Sequence, residues 1–346
     1  MPNLPATSRV LVTGANGFIG QHLCSQLASR GHSVTGLVRS EQAAQQLSQL
    51  SVRPARGDVT DAAALTQAVS GHDLVIHLAG VTQPLHSRAF YNVNAEGTRN
   101  VILACIQCES PPALIVVSSL AAAGPARSGQ PLTELTTARP VSEYGRSKLA
   151  AERLARRHAG RLPVSIVRPP IVVGDGDRAT LTFFRAIHRF GIHVAPQLVP
   201  RHFSIIHVSD LVDLIVRVAA DGERCKVAGN DDATTRGQGV YFAECGERPR
   251  FGQLGRMIGR ALGRRRTLVV PVARPILWSV AVAAEISARV RQRPARLSWD
   301  KAREASSGPW ICSAEKAMTQ LGFCPPHTLQ ERLEQTAAWY RAHGWL

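Results

Sequence analysis

The stretch "VSEYGRSKLAAE", residues 141–152, sets Tyr144 four residues before Lys148. At that spacing two side chains share one face of a helix. A phenol beside an ammonium can move a proton near neutral pH, because a nearby positive charge lowers the pKa of a tyrosine from its ordinary value of about 10. The same spacing also occurs on solvated helix faces, so the pair alone decides nothing. Ser142 is placed to cap this helix, in a register that aims Tyr144 and Lys148 the same way. Ser119, in "VVSSLAAAG", lies 25 residues before Tyr144 and adds a hydroxyl.

A second cluster is "TGANGFIG", with Gly14, Gly17 and Gly20. Glycines at a strand-to-helix turn let the backbone approach a pyrophosphate, whose charge a helix N-terminus stabilises. Nineteen residues beyond Gly20 the next strand ends in "LVRS", with Arg39 where a carboxylate would bind ribose hydroxyls. A guanidinium suits a 2′-phosphate instead, which favours NADP and leaves NAD the second choice. Asp58, in "GDVTD", falls where a carboxylate can accept from an adenine amino group, while Asp61 serves better as a helix cap. "HLAG" (77–80) closes another strand with small residues, as backbone pressed against a flat cofactor requires.

The elements that must position these residues alternate through the first half. "RVLVTGA", "SVTGLVR", "VRPARGD", "DLVIHLAG", "ALIVVSSLAAAG" and "VSIVRPPIVVG" read as six strands separated by helices. Continuous apolar strands alternating with helices predict buried parallel strands, hence an α/β, doubly wound (Rossmann) sheet. Its ligand crevice lies at the carboxyl ends of the strands. After Gly174 the rhythm breaks. The expected division is a dinucleotide-binding domain over 1–174, with part of 203–245 returning to it, and a smaller interleaved substrate lobe over 175–346.

The bulk numbers agree with a globular protein: 346 residues, 45% hydrophobic and 19% charged. The N-terminus carries no basic region followed by an apolar run, so a cytoplasmic setting is expected. Seven scattered cysteines suggest free thiols. Cys105 and Cys108 form C-x-x-C without a second pair, which argues for buried helix-face thiols and against a metal. The net charge of +16 would suit anionic partners, yet no nucleic-acid module with interleaved aromatics appears. The apolar segment 267–290 is interrupted by Arg274 and Glu285, too short between them to span a bilayer. It reads as a helix packed on the substrate lobe, with peripheral membrane contact through 267–296 as the further expectation.

From "TGANGFIG" through "GDVTD", "HLAG", "NVNAEGTRN", "VVSS", "YGRSK", "VRPPIVVGDGD" and "IHVSDLVD", the chain resembles the extended branch of the short-chain dehydrogenase/reductase superfamily over at least residues 8–215. The resemblance implies a catalytic trio of Ser119, Tyr144 and Lys148, with Asn94 organising the site. It implies cofactor contacts at Gly14, Gly17, Phe18, Ile19, Gly20, Arg39, Asp58, Val59, Leu78, Ala79, Gly80, Pro169 and Ile171, besides Tyr144 and Lys148. Tyr144 would exchange the proton that accompanies hydride transfer, with Lys148 and the nicotinamide supplying positive charge. Ser119 would orient the substrate oxygen, and a homodimer is expected from the resemblance alone.

This branch holds both alcohol/ketone oxidoreductases and nucleotide-sugar epimerases or dehydratases. Where sugar-nucleotide members typically carry Asn and Arg, this chain has Ile171 and Phe203, and the acidic pair of dehydratases is replaced by Leu120 and Ala121. The expected substrate is therefore hydrophobic, lined by Leu120, Ala121, Phe203 and the 267–290 segment. The C-terminal half looks like 3β-hydroxysteroid dehydrogenase and dihydroflavonol-reductase-like groups. The alternatives are a 4-epimerase with tightly bound NAD and a non-catalytic NADP sensor or scaffold.

Overall fold

A computed structural model describes residues 7–127, 129–195, 201–227, 235–291 and 298–346. Residues 228–234 of the returning segment and 292–296 of the expected membrane contact lie outside the described residues.

Strands and helices alternate from the start: β1 (Arg9–Thr13), α1 (Phe18–Ser29), β2 (Ser33–Val38), α2 (Glu41–Ser48), β3 (Arg53–Arg56), α3 (Ala62–Val69) and β4 (Leu74–His77). Caps set the helix starts. Ser40 accepts from Ala43 N–H, and Asp61 accepts from Ala63 and Ala64 N–H. A short helix α4 (Arg88–Phe90) leads into a π-helical stretch, Tyr91–Glu96, and then α5 (Gly97–Ile106). The chain continues through β5 (Ala113–Val117), α6 (Leu120–Ala123), α7 (Glu143–Arg157), β6 (Val164–Arg168), β7 (Ile171–Val173), α8 (Leu181–Phe190), β8 (Ile192–Ala195), β9 (Ile205–His207), α9 (Val208–Asp221) and β10 (Val240–Phe242). The last elements are α10 (Phe251–Ala261), β11 (Leu268–Pro271), α11 (Arg274–Arg291), α12 (Trp299–Ser306), α13 (Glu315–Leu321) and α14 (Leu329–Ala342).

Seven strands pair in the order β10-β6-β5-β4-β1-β2-β3, all parallel. Side-chain alternation along β1 shows how both faces are buried. Val10 and Val12 join the core under α1, α2 and α9, whereas Leu11 joins the opposite core with Leu65, Val101 and Ala155 of α3, α5 and α7. Strand order reverses between β1 and β4, and that switch point opens a crevice.

Two expected strands are shorter than their apolar runs. "ALIVVSSLAAAG" leaves the sheet at Val117; Ser119 then caps α6 by accepting from Ala121 N–H. "VSIVRPPIVVG" breaks at Pro169-Pro170, which have no N–H to donate. Beyond the break β7 pairs with β9 in a separate two-stranded sheet. A further core, holding Phe184, Leu254, Leu333 and Tyr340, joins α8, α10 and α14.

Candidate active site

The glycine-rich turn closes on itself, with Gly17 N–H donating to the Gly14 carbonyl at 3.0 Å. Gly14 has φ +70°, and a Cβ there would lie 2.8 Å from the Ala79 nitrogen. A Cβ on Gly20 would lie 2.2 Å from the Gly14 carbonyl oxygen. The turn can therefore be built only from glycine at these two points. Helix α1 begins at Phe18 with no side-chain cap and no acidic residue in its first turn, so the N-terminal N–H groups of Phe18, Ile19 and Gly20 face the crevice as anion donors. Arg39 follows β2, 78% exposed, 3.6 Å from the Asp58 carboxylate. Burial raises the Asp58 pKa, but hydrogen bonds from Thr60 and the nearby Arg39 outweigh it and hold the group below the usual carboxylate range.

Across the switch point Gly80 forms a cradle. A Cβ on it would come within 3.0 Å of Asn94 Oδ1 and 3.3 Å of Lys148 Nζ. Asn94 sits fully buried in the π-helical stretch, where Val81 N–H donates to its Oδ1 at 2.8 Å. Its Nδ2 donates to the Val81 carbonyl and to Ser147 Oγ. With those partners filled, Asn94 is a positioning residue that ties the loop after β4 to α7. A polar thread supports it from beneath. Thr98 Oγ1 donates to the Asn94 carbonyl and so accepts from His77 Nε2–H, which leaves His77 Nδ1 to accept from Thr13 Oγ1. Thr13 in turn accepts from Ala79 N–H. Burial, and then the charge of Lys148, push the His77 pKa down to about 3, so it stays neutral.

Ser142 caps α7 through Gly145 N–H at 2.9 Å, which sets Tyr144 and Lys148 inward together. Gly145 is required there, since a Cβ would meet the Ala121 carbonyl at 2.3 Å. Tyr144 is 9% exposed and packs on Phe90 and Ala121. Burial raises its pKa, opposed first by the charge of Lys301 and then by a hydrogen bond with Ser119. Lys148 donates to the Val117 carbonyl at 3.0 Å; burial lowers its pKa to about 8, opposed by Glu152 one turn on. Lys301 is thus a further cation bearing on the Tyr144 phenol, one the spacing did not suggest.

Lys301 belongs to a clasp that α12 makes on the start of α7. Asp300 accepts from the N–H groups of Glu143 and Tyr144 at 2.8 and 3.1 Å. Glu304 accepts from Ser142 Oγ at 2.7 Å and from Lys301 Nζ at 2.8 Å, which holds the ammonium 5.1 Å from the Tyr144 ring centroid. Beside the clasp lies a cavity of about 480 Å³ whose apolar lining includes Leu85, Phe90, Val282, Ile286 and Trp299.

The family model described as "NAD dependent epimerase/dehydratase family" matches residues 10–228. The chain belongs to this family. Among curated relatives, it is 28% identical over 338 residues to a ceramide reductase of Caulobacter vibrioides, covering 97% of this chain and 96% of that one. It is 28% identical over 364 residues to 3 beta-hydroxysteroid dehydrogenase type 7 of Homo sapiens, covering 96% and 95%. The crystal structure of gox2253 superposes with a TM-score of 0.76 at 26% identity, covering 98% of this chain and all of that one.

In this epimerase/dehydratase-family chain Gly80 brings Asn94 and Lys148 together, Gly14 packs against Leu78 and Ala79, and Ser119 hydrogen-bonds Tyr144. Val59 is buried against Gly97 of α5, beside Asp58 at the outer end. Pro169 accepts from Leu120 N–H, and Ile171 is 37% exposed beyond the end of β6. Two residues expected to line the substrate site are packed into other cores of this structure. Phe203 is 2% exposed, its ring 4.6 Å from that of Phe251 in the lobe core. Leu120 is buried with Phe242 and Ile311, so only Ala121 of that lining lies against Tyr144.

Sequence reasoning missed the α12 clasp and the buried Glu152–Arg168 pair, in which Arg168 Nε donates to Glu152 at 2.9 Å and Ser118 donates to the same carboxylate. Glu152 four residues after Lys148 on a helix was the available signal. Nothing local marks Lys301 as a partner of Tyr144. Among the described residues no cluster of His, Cys, Asp and Glu could hold a metal ion, and no helix is long and apolar enough to cross a membrane.

Proposed function

We propose that this epimerase/dehydratase-family oxidoreductase uses NADP(H) to interconvert a hydroxyl and a ketone on a hydrophobic small molecule. The observation that carries the reading is Tyr144 set between Ser119 and Lys301, with a cavity at the start of its helix whose lining is part apolar and part charged. The glycine turn, the bare N-terminus of α1 and the Gly80 cradle fit a dinucleotide. Arg39, exposed at the end of β2, supports a 2′-phosphate and hence NADP. The curated relatives, a ceramide reductase and a 3 beta-hydroxysteroid dehydrogenase, support an apolar substrate.

When bound, the dinucleotide supplies or accepts a hydride. The chain's own residues handle the proton and the geometry. In the reducing direction Tyr144 Oη gives its proton to the substrate oxygen as negative charge develops there, and Lys301 offsets the charge left on the phenolate. Ser119 Oγ donates a hydrogen bond to that oxygen and fixes its orientation. In the oxidising direction the proton returns to Tyr144. Lys148, held by the Val117 carbonyl beside Gly80, would bind the ribose hydroxyls of the cofactor.

The test is NADPH consumption with a panel of hydrophobic ketones, run beside UDP-sugars. Tyr144→Phe is expected to lower turnover by about a hundredfold or more while NADP binding persists. Undiminished turnover removes Tyr144 from the chemistry. Sugar interconversion without net NADPH consumption would replace this reading with an epimerase, and NADP binding without any turnover would replace it with a sensor.

A further inference from the structure

The basic excess of this chain is not spread evenly. Arg248, Arg256, Arg260, Arg264, Arg265 and Arg266 line one groove of about 970 Å³, to which Tyr144 does not contribute. Glu247 is the one carboxylate among its described lining residues, and it is engaged as the acceptor of Leu329 N–H. Arg248 pairs with Glu244, and Arg264 donates to the His188 carbonyl. Arg256, Arg260, Arg265 and Arg266 have no carboxylate partner among the described residues, and all four are exposed. Such a concentration of unpaired guanidinium groups calls for an anionic counterpart.

What adjoins the groove selects the kind of anion. Leu268, itself a groove residue, is 62% exposed and begins β11, which pairs with β8 as a separate ribbon. The ribbon also exposes Val194 at 51% and Val270 at 37%, and Phe190 before it at 65%. Three residues after β11 comes α11, which keeps Ala281 and Ala288 buried but leaves Ile276 and Val280 more than half exposed. Ile276 and Val280 are four apart and so share a helix face. A helix that is apolar on its outward as well as its inward side is one made to be covered. Soluble polyanions would satisfy the arginines and leave this apolar surface bare; a bilayer with anionic headgroups satisfies both at once.

We propose that the arginine groove, the β8–β11 ribbon and the outer face of α11 form a docking surface for an anionic lipid bilayer, lying in the interface without spanning it. The same helix contributes Val282 and Ile286 to the cavity beside the α7–α12 clasp. Docking therefore brings the cavity beside the α7–α12 clasp toward the bilayer surface, where an apolar substrate would be found. Docking does not depend on the reaction, and binding alone tests it.

The full chain is to be sedimented with phosphatidylcholine vesicles that contain or lack phosphatidylglycerol, at low and high salt. Two variants accompany it, Arg260→Glu/Arg265→Glu/Arg266→Glu and Ile276→Asp/Val280→Asp, with melting temperatures confirming that both fold. The expected result is binding that needs phosphatidylglycerol, weakens with salt, and falls about a hundredfold in the charge-reversed variant. The Ile276→Asp/Val280→Asp variant should lose the part that survives salt. The proposal is overturned if the chain binds neither vesicle, or if it binds and both variants bind equally well. It is equally overturned if the chain instead self-associates without vesicles and Ile276→Asp/Val280→Asp disperses it, since a second copy then covers α11.

Discussion

The Lys301 ammonium lies 5.1 Å from the centroid of the Tyr144 ring, reached across 157 residues of sequence and held there by Glu304. A positive charge that close favours phenolate over phenol. Replacing Lys301 with Met removes it, so Tyr144 should ionise only at higher pH. In the oxidising direction, where Tyr144 must first be deprotonated, the rising limb of kcat against pH is expected to move to higher pH. The rate at neutral pH should fall by about tenfold. Lys301→Arg should restore part of the shift. An unmoved pH profile in Lys301→Met would leave Lys301 a packing residue.

Arg39 stands 3.6 Å from Asp58 and is otherwise open to solvent. Arg39→Ala is expected to weaken NADP by about tenfold to a hundredfold and NAD by less than about threefold, as loss of a single charged contact to a phosphate implies. Titration of both cofactors measures the ratio. Equal losses for both would return the NADP preference to the alternative, NAD.

Glu152 and Arg168 are both at least 95% buried in their side chains and share two hydrogen bonds. Burial alone would raise the Glu152 pKa, but Arg168 and Ser118 outweigh it and hold the group below the usual carboxylate range. Glu152→Gln keeps the shape and strands a buried guanidinium, which is expected to cost about 3–5 kcal/mol of stability in urea unfolding. The same change removes the charge that supports the Lys148 ammonium, so Lys148 should lose its proton at still lower pH than about 8.

His77 and His207 are buried, and desolvation lowers both pKa values to about 3. In the unfolded chain each would titrate near about 6.5. Between those values the unfolded state binds protons that the folded state refuses. Stability is therefore complete above about 6.5 and is lost as pH falls toward 3, by up to about 1.4 kcal/mol per pH unit for each histidine. His77→Gln should flatten that slope by one histidine's share, read from urea midpoints at a series of pH values.

The parallel sheet and the cofactor turn were legible because their signals are local. A buried parallel strand is an unbroken apolar run, and a glycine turn must be written in glycine. Ser142 as a cap was legible for the same reason. The breaks after Val117 and at Pro169-Pro170 were not read from apolarity, because apolar residues continue on either side while the hydrogen bonding changes. Phe203 looked like a cleft residue from its place in a resemblance, but packing against Phe251 decided its environment. Asp300, Lys301 and Glu304 sit in "SWDKAREAS", which reads as an ordinary capped surface helix. Their role exists only once the end of the chain has folded back upon α7.

That return has a consequence for timing. The glycine turn, the Gly80 cradle and the Tyr144/Lys148 pair all lie before residue 150, whereas Asp300, Lys301 and Glu304, which close on the start of α7 beside its Ser142 cap, arrive only with α12. Until α12 has been made, Tyr144 lacks the Lys301 charge and α7 lacks the Asp300 and Glu304 contacts at its start.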